Sequence, residues 1–199
     1  MRAGANAADI LSTMEAFEQF VALAMEAEGF VVSEALKFPV KRQTKKAAYA
    51  EYQTHGYEVD LVGARVDRVV LASVKSYFGS LGVQSRDVIG SGQNASLYKM
   101  LNEPDIREGL VEGAMQRFGY AEEQVEMRFY VGKFQNASSE AAVRTWAVEQ
   151  TVGSGPIKVF GAADVVGTVR EVADSKTYRD NAVLATLKVL EATGQMLAR

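Results

Sequence analysis

One stretch constrains this chain more than any other: Tyr57 to Ser80, YEVDLVGARVDRVVLASVKSYFGS. Alternation in its first part sets Tyr57, Val59 and Leu61 against Glu58 and Asp60. That pattern predicts a strand over Tyr57–Val62 with one apolar and one acidic face. Gly63 to Asp67 supply a turn. Arg68–Lys75 is dominated by Val and Leu, the composition of a central strand covered on both sides. The two strands form an antiparallel hairpin. Within the second, Ser73 and Lys75 share a face, because strand side chains repeat every two residues.

Such a hairpin brings Asp60 close to Ser73 and Lys75. A carboxylate at the end of one strand can hold a hard divalent cation through oxygen. A lysine aimed at the same point can steady or deprotonate an attacking water, or offset charge developing on a phosphate. A lysine inside a Val/Leu-rich strand also needs a partner, since an unpaired buried charge is costly. Asp60 and Glu58 are the obvious partners.

Asp60 followed by Ser73-Val74-Lys75, with Glu18 on a preceding helix, resembles the PD-(D/E)XK nuclease superfamily. The phrasing is most similar to its Holliday-junction-resolvase-like and Mrr-like members. The likeness covers residues 14–80, with a looser echo over 126–172. It implies an α/β fold with a restriction-endonuclease-like core, in which a mixed central sheet of about four to five strands is flanked by helices. It also implies a metal-dependent DNA endonuclease that uses Mg2+ or Mn2+. Asp60 would be the principal metal ligand and Glu18 a ligand or water-mediated partner. The Val74 carbonyl would complete the shell, and Lys75 would orient or activate the attacking water.

Ser73 departs from the pattern, because the family usually carries Glu or Asp there. Members with Ser at this position recruit a carboxylate from a nearby helix. Asp87 is the foremost candidate for that role here, with Glu108 and Glu112 as the others. The same departure leaves open a nuclease-like domain that no longer hydrolyses and instead binds DNA or a protein partner.

The net charge is −3, so nucleic-acid binding must come from a local patch. KFPVKRQTKK, residues 37–46, holds five basic residues and no acidic ones. It is expected to be a loop in which Lys41, Arg42, Lys45 and Lys46 hold phosphates. Gln43, Thr44, Tyr49 and Tyr52 add hydrogen-bonding and ring surfaces beside them. The chain has no cysteine and a single histidine, His55. Disulfides, thiolate metal sites, a cysteine nucleophile and a multi-histidine site are thereby excluded, which fits a reducing cytoplasm. No apolar run approaches the ~18–20 residues needed to span a bilayer, and no signal peptide is read. A cytoplasmic protein without a membrane partner is expected.

At 199 residues the chain is read as one nuclease-like domain, residues 1–199, with its core over 12–173. Ser12 or Thr13 caps a first helix that ends at Gly29. A strand follows over Phe30–Phe38. After Lys75 the chain is rich in Gly and Ser and is expected to be irregular. Next come a helix over Pro104–Phe118 and a strand over Val125–Lys133. A helix over Ala141–Thr151, capped by Ser138 or Ser139, precedes a short strand over Ile157–Phe160 and a helix over Ala162–Ala173. An extra C-terminal helix, 181–197 with Asn181 as its cap, would cover a sheet edge or make a dimer contact. A homodimer is an option by analogy with nucleases that cut both strands.

Overall fold

Arg65 and Arg68 face each other across a turn made by Val66 and Asp67. The turn closes a hairpin between β2 (Tyr52–Arg65) and β3 (Arg68–Lys75). The computed structural model describes residues 16–43, 52–175 and 181–194. β3 has the expected limits, whereas β2 is longer at both ends. Gly63 lies within β2 rather than in the turn, where the Met25 methyl group packs against its α-carbon. Its partner β1 (Val31–Gln43) is also long. Lys37 to Gln43 are therefore strand and not loop. Phe38 and Val40 point into the core, 1% exposed each, while Lys37, Pro39 and Lys41 on the alternate positions face water. The charge of this segment hides a period of two.

The five-stranded sheet has the order β1-β2-β3-β4-β7, with β4 at Val125–Val131 and β7 at Lys158–Gly161. β1, β2 and β3 pair antiparallel; β4 runs parallel to β3 and β7 parallel to β4. The sheet is mixed, as expected. A two-stranded ribbon, β5 (Thr151–Val152) with β6 (Gly155–Pro156), precedes β7. All seven residues of β4 are buried, because helices cover both faces of the sheet.

On one face Val69, Leu71, Val125, Met127, Phe129 and Val131 pack under a layer of helices. That layer comprises α2 (Ser85–Ile89), the short α3 (Lys99–Asn102), α4 (Pro104–Phe118) and α5 (Ala137–Val148). Burying each large aliphatic side chain there contributes about 1.5–3 kcal/mol. α4 starts on its proline and ends at Gly119 in the left-handed conformation (φ 78°), as its sequence predicts. α5 begins earlier than expected. The Asn136 side chain caps it by accepting from the Ser139 amide at 2.8 Å, rather than a serine doing so.

On the other face lie α1 (Ala16–Ala27), α6 (Ala162–Asp174) and α7 (Ala182–Ala192). Val70, Ala72, Val74 and Tyr130 of the sheet pack against them. α7 carries the expected Asn181 cap, and it seats Val183, Leu184 and Leu187 in this same helical layer rather than over a sheet edge. The caps Ser12 and Thr13 lie outside the described residues. No helix among the described residues is long and apolar enough to cross a membrane.

β4 also carries two buried charges toward α1. Arg128 donates to Glu126 at 2.5 Å, to both carboxylate oxygens of Glu28 at 2.7 and 2.8 Å, and to the Tyr130 hydroxyl at 3.0 Å. Lys158 donates to Glu126 at 2.6 Å. Burial opposes ionisation of Glu126, but Lys158 and Arg128 outweigh it and hold the carboxyl below its ordinary value. Burial also pushes the Tyr130 phenol up to about 12. The charges are paired and hydrogen-bonded, the condition under which a sheet interior tolerates them.

Candidate functional site

The alternation of β1 and β2 reverses at one pair of positions. Tyr57 and Val59 pack on the α4 side, while Leu61 packs on the α1 side. On β1, Leu36, Phe38 and Val40 belong to the α4 side and Val32 to the α1 side. The reversal falls at Ala35 and Asp60, which lie opposite each other and are skipped by the pairing between Glu34–Leu61 and Leu36–Val59. Ala35 takes φ +50°, a left-handed conformation that a β-carbon disfavours. The single apolar face expected for Tyr57, Val59 and Leu61 is thus broken at the acid.

β2 and β3 separate at the same point. Their last paired residues toward this end are Leu61 and Ala72. Beyond them the Asp60 side chain does the work of a backbone partner: Oδ2 accepts from the Val74 amide at 2.6 Å. The Ser73 hydroxyl donates to the same oxygen at 3.3 Å, and Lys75 Nζ lies 3.6 Å from it. Asp60 and Lys75 side chains are each 23% exposed, so the pair reaches water at the end of the sheet. A cleft of about 510 Å3 opens there. Glu18 of α1, Asp60, Val74, Lys75 and the segment Ser76–Ser80 line it.

Asp60, Ser73, Val74 and Lys75 are therefore gathered as the pairing of the two strands predicts, and Glu18, which only the family resemblance implied, lines the same cleft. Glu58 is not a partner of Lys75; it pairs with Lys37 at 3.6 Å on the open surface.

The expected substitute acids lie elsewhere. Asp87 is 4% exposed and turned into its own loop. It accepts from the Asn94 amide at 3.2 Å and from Asn94 Nδ2 at 3.4 Å, with the Gly92 backbone pressed against it. A short acid beside a Gly-Ser-Gly turn caps that turn instead of reaching the sheet. Glu108 and Glu112 sit on α4 and line depressions bounded by Met115, Thr151 and Gln116, away from Asp60. Among the described residues no group of three or more His, Cys, Asp or Glu side chains gathers to hold a metal ion.

The basic run is likewise displaced from the cleft. Arg42 is paired with Gln53, seven residues before Asp60 on β2, which is roughly 20 Å at the strand rise of ~3.3 Å per residue. Its guanidinium donates to Glu103 at 2.5 Å, Asp105 at 2.6 Å and the Tyr57 hydroxyl at 3.0 Å. It fastens β1 to the start of α4 and is not presented to phosphates. Lys41 lies 5.4 Å from the centre of the Tyr52 ring, a cation–π contact on the same exposed end of the hairpin. Lys45 and Lys46, like Thr44 and Tyr49, fall outside the described residues. His55 is exposed on β2 opposite Val40, also remote from the cleft.

The donor set suits one class of cation. Mg2+ is satisfied by one or two carboxylates and keeps several waters. Asp60 and Glu18 are two carboxylates that line the cleft, and among the described residues the Val74, Ser73 and Lys75 contacts of Asp60 fall on Oδ2, one of its two oxygens. A closed cage of several protein ligands is not what this site offers.

Sequence reasoning missed the Ala35–Asp60 reversal, whereas Ser76–Ser80 line the cleft as their place directly after the lysine strand leads one to expect. The only signal for the reversal was that Leu61 and Val62, adjacent in sequence, are both strongly apolar. Comparison of the chain with protein-family models, with curated proteins and with solved structures finds no match.

Proposed function

We propose that this chain is a metal-dependent DNA endonuclease whose active centre is the cleft at Asp60 and Lys75. The observation that carries this is the ammonium of Lys75 3.6 Å from the Asp60 carboxylate at the point where β2 and β3 part. A structural ion pair needs no splayed strand ends and no second acid from α1. This one has both, on the wall of an open cleft.

Mg2+ or Mn2+ would be held by Asp60 and Glu18 with the Val74 carbonyl, and when bound would polarise the phosphate and favour an ionised water. The protein's own groups do the rest. The Val74 amide and Ser73 hydroxyl fix the orientation of Asp60. Lys75 places a positive charge where a pentacoordinate phosphate gathers negative charge, and steadies the water that attacks it. Ser73 stands where the superfamily carries a second acid, so cation affinity is expected to be modest.

The test is cleavage of supercoiled plasmid and of branched DNA with Mg2+ and with Mn2+. Cleavage is expected for the native chain, and a loss of about 100-fold or more for Asp60→Ala and Lys75→Ala. If the native chain leaves both substrates intact with both metals, or if Asp60→Ala cuts as well as the native chain, the proposal is wrong.

A second reading is favoured by Ser73 together with the diversion of Asp87 into its loop. In it the domain binds DNA or a protein partner and no longer hydrolyses. DNA binding without cleavage, and no heat of Mn2+ binding by calorimetry, would select it.

A further inference from the structure

The residues that leave β3 beside the cleft, Ser76 to Gly82, are clamped rather than loose. The Gly132 amide donates to the Lys75 carbonyl at 2.8 Å. A β-carbon on Gly132 would run into the Ser76 carbonyl oxygen and come within 2.8 Å of Phe78 Cζ. Gly82, at φ +91°, presses on the backbone of Phe134 and Gln135. Lys133 Nζ donates to the Ser80 carbonyl at 2.7 Å, and Val83 exchanges backbone hydrogen bonds with Lys133 and Gln135 at 2.9 Å each.

Tyr77 within this segment takes φ +48°, a conformation that a β-carbon makes unfavourable. The left-handed turn separates two neighbouring rings. Tyr77 goes into the α4-side core, where it hydrogen-bonds Tyr98. Phe78 goes the other way, edge-on to Phe17 of α1 with ring centres 5.4 Å apart, and stays 59% exposed. Leu81 in the same segment is 71% exposed. A strained, firmly held turn thus delivers an aromatic ring to the wall of the Asp60–Lys75 cleft, where its contact with Phe17 is edge-on and more than half of the residue stays open to water.

We propose that Phe78 is a stacking platform for an unpaired base of the strand being cut, and that the substrate is DNA forked or single-stranded next to the scissile phosphate. This rests on the nuclease reading above. Phe78 and Lys75 line the same cleft, and three residues of chain hold their α-carbons within about 11 Å, so a phosphate at Lys75 and its own base at Phe78 can belong to one nucleotide. Bases inside a duplex have both faces covered by their neighbours, whereas an unpaired base offers its face to an aromatic side chain. Exposed Arg86, on α2 just beyond the turn, supplies charge for the backbone that follows.

The experiment compares a blunt duplex with the same duplex ending in a fork that carries 2-aminopurine at the junction. Binding is read by anisotropy in EDTA and cleavage with Mn2+. The native chain should prefer the fork. Phe78→Ala should weaken fork binding by about 5- to 100-fold, with little change on duplex, and should abolish the 2-aminopurine signal. Phe78→Trp should keep both, and a melting curve for each variant shows that it is folded. If fork and duplex are bound and cut alike and Phe78→Ala changes neither, the platform is overturned while the nuclease reading stands. If the native chain neither binds nor cuts either DNA, the nuclease reading falls and the platform with it. Loss of a self-association in Phe78→Ala, with fork binding unchanged, would assign the ring to a second copy of the chain and overturn the proposal.

Discussion

The Val74 amide donates to Asp60 Oδ2 at 2.6 Å, one residue before Lys75 in the chain. That bond replaces a rung of the β2–β3 ladder by a side chain. It also sets where the carboxylate and the ammonium meet. The local chemistry of the cleft follows from it.

Replacing Ser73 by Asp puts a second carboxylate where the hydroxyl now lies 3.3 Å from Asp60. Without a cation the two like charges repel at a position only 5% exposed, and Ser73→Asp should be less stable by about 1–3 kcal/mol in EDTA. With Mn2+ the same pair becomes a better ligand set. Thermal unfolding should recover on adding the metal, and calorimetry should show affinity raised about tenfold or more over the native chain. A variant that Mn2+ neither rescues nor binds more tightly would move the cation away from Asp60.

Arg42 ties β1 to the acids that open α4. Arg42→Ala should lower stability by about 1–2 kcal/mol, since its side chain is 23% exposed and the pairs are partly screened. It should leave DNA affinity and its salt dependence unchanged. A fall in the salt slope of binding for Arg42→Ala would show instead that this arginine contacts phosphate.

Glu126 is held ionised by Lys158 and Arg128 against the effect of burial, so its folded pKa lies below the ordinary value near 4.5. A depressed carboxyl contributes stability that is present above its unfolded pKa and is lost as pH falls through the folded one. Melting temperature should therefore hold from pH 7 to about pH 5 and drop below 4.5. Glu126→Gln should be less stable at pH 7 by about 3 kcal/mol, because it leaves Arg128 and Lys158 short of a partner. Its acid limb should be shallower. Parallel curves for variant and native chain would remove Glu126 from the acid transition.

Gly132 is required by close approach rather than by its dihedral angle. Gly132→Ala forces a methyl group against the Ser76 carbonyl and the Phe78 ring. A cost of about 1–3 kcal/mol is expected from overpacking, measured by urea denaturation. Hydrogen exchange at residues 76–82 should quicken in the variant. Unchanged exchange there would mean that the segment is not clamped by this contact.

Much of the framework is legible in the sequence because its signals are local. Pro104 and Gly119 bracket α4 to the residue. The Val-rich run gives β3 its limits, and Asn181 marks the start of α7. The lysine-rich arm misled because charge suggests a loop, whereas Phe38 and Val40 every second residue decide for strand once α4 lies over them. Asn136 took the cap from Ser138 and Ser139 because its carboxamide reaches the Ser139 amide.

For the site, the sequence by itself determined that Asp60, Ser73 and Lys75 would meet. They belong to adjacent strands joined by a two-residue turn, and pairing over so short a separation is fixed by the pattern of the two strands alone. Only the tertiary structure decided the rest. It brought Glu18 of α1 to the cleft, turned Asp87 away, gave Arg42 to α4 and reversed the alternation of β1 and β2 at Ala35 and Asp60. Those outcomes depend on which distant surfaces are buried against each other. Burial is non-directional and local patterns do not encode it.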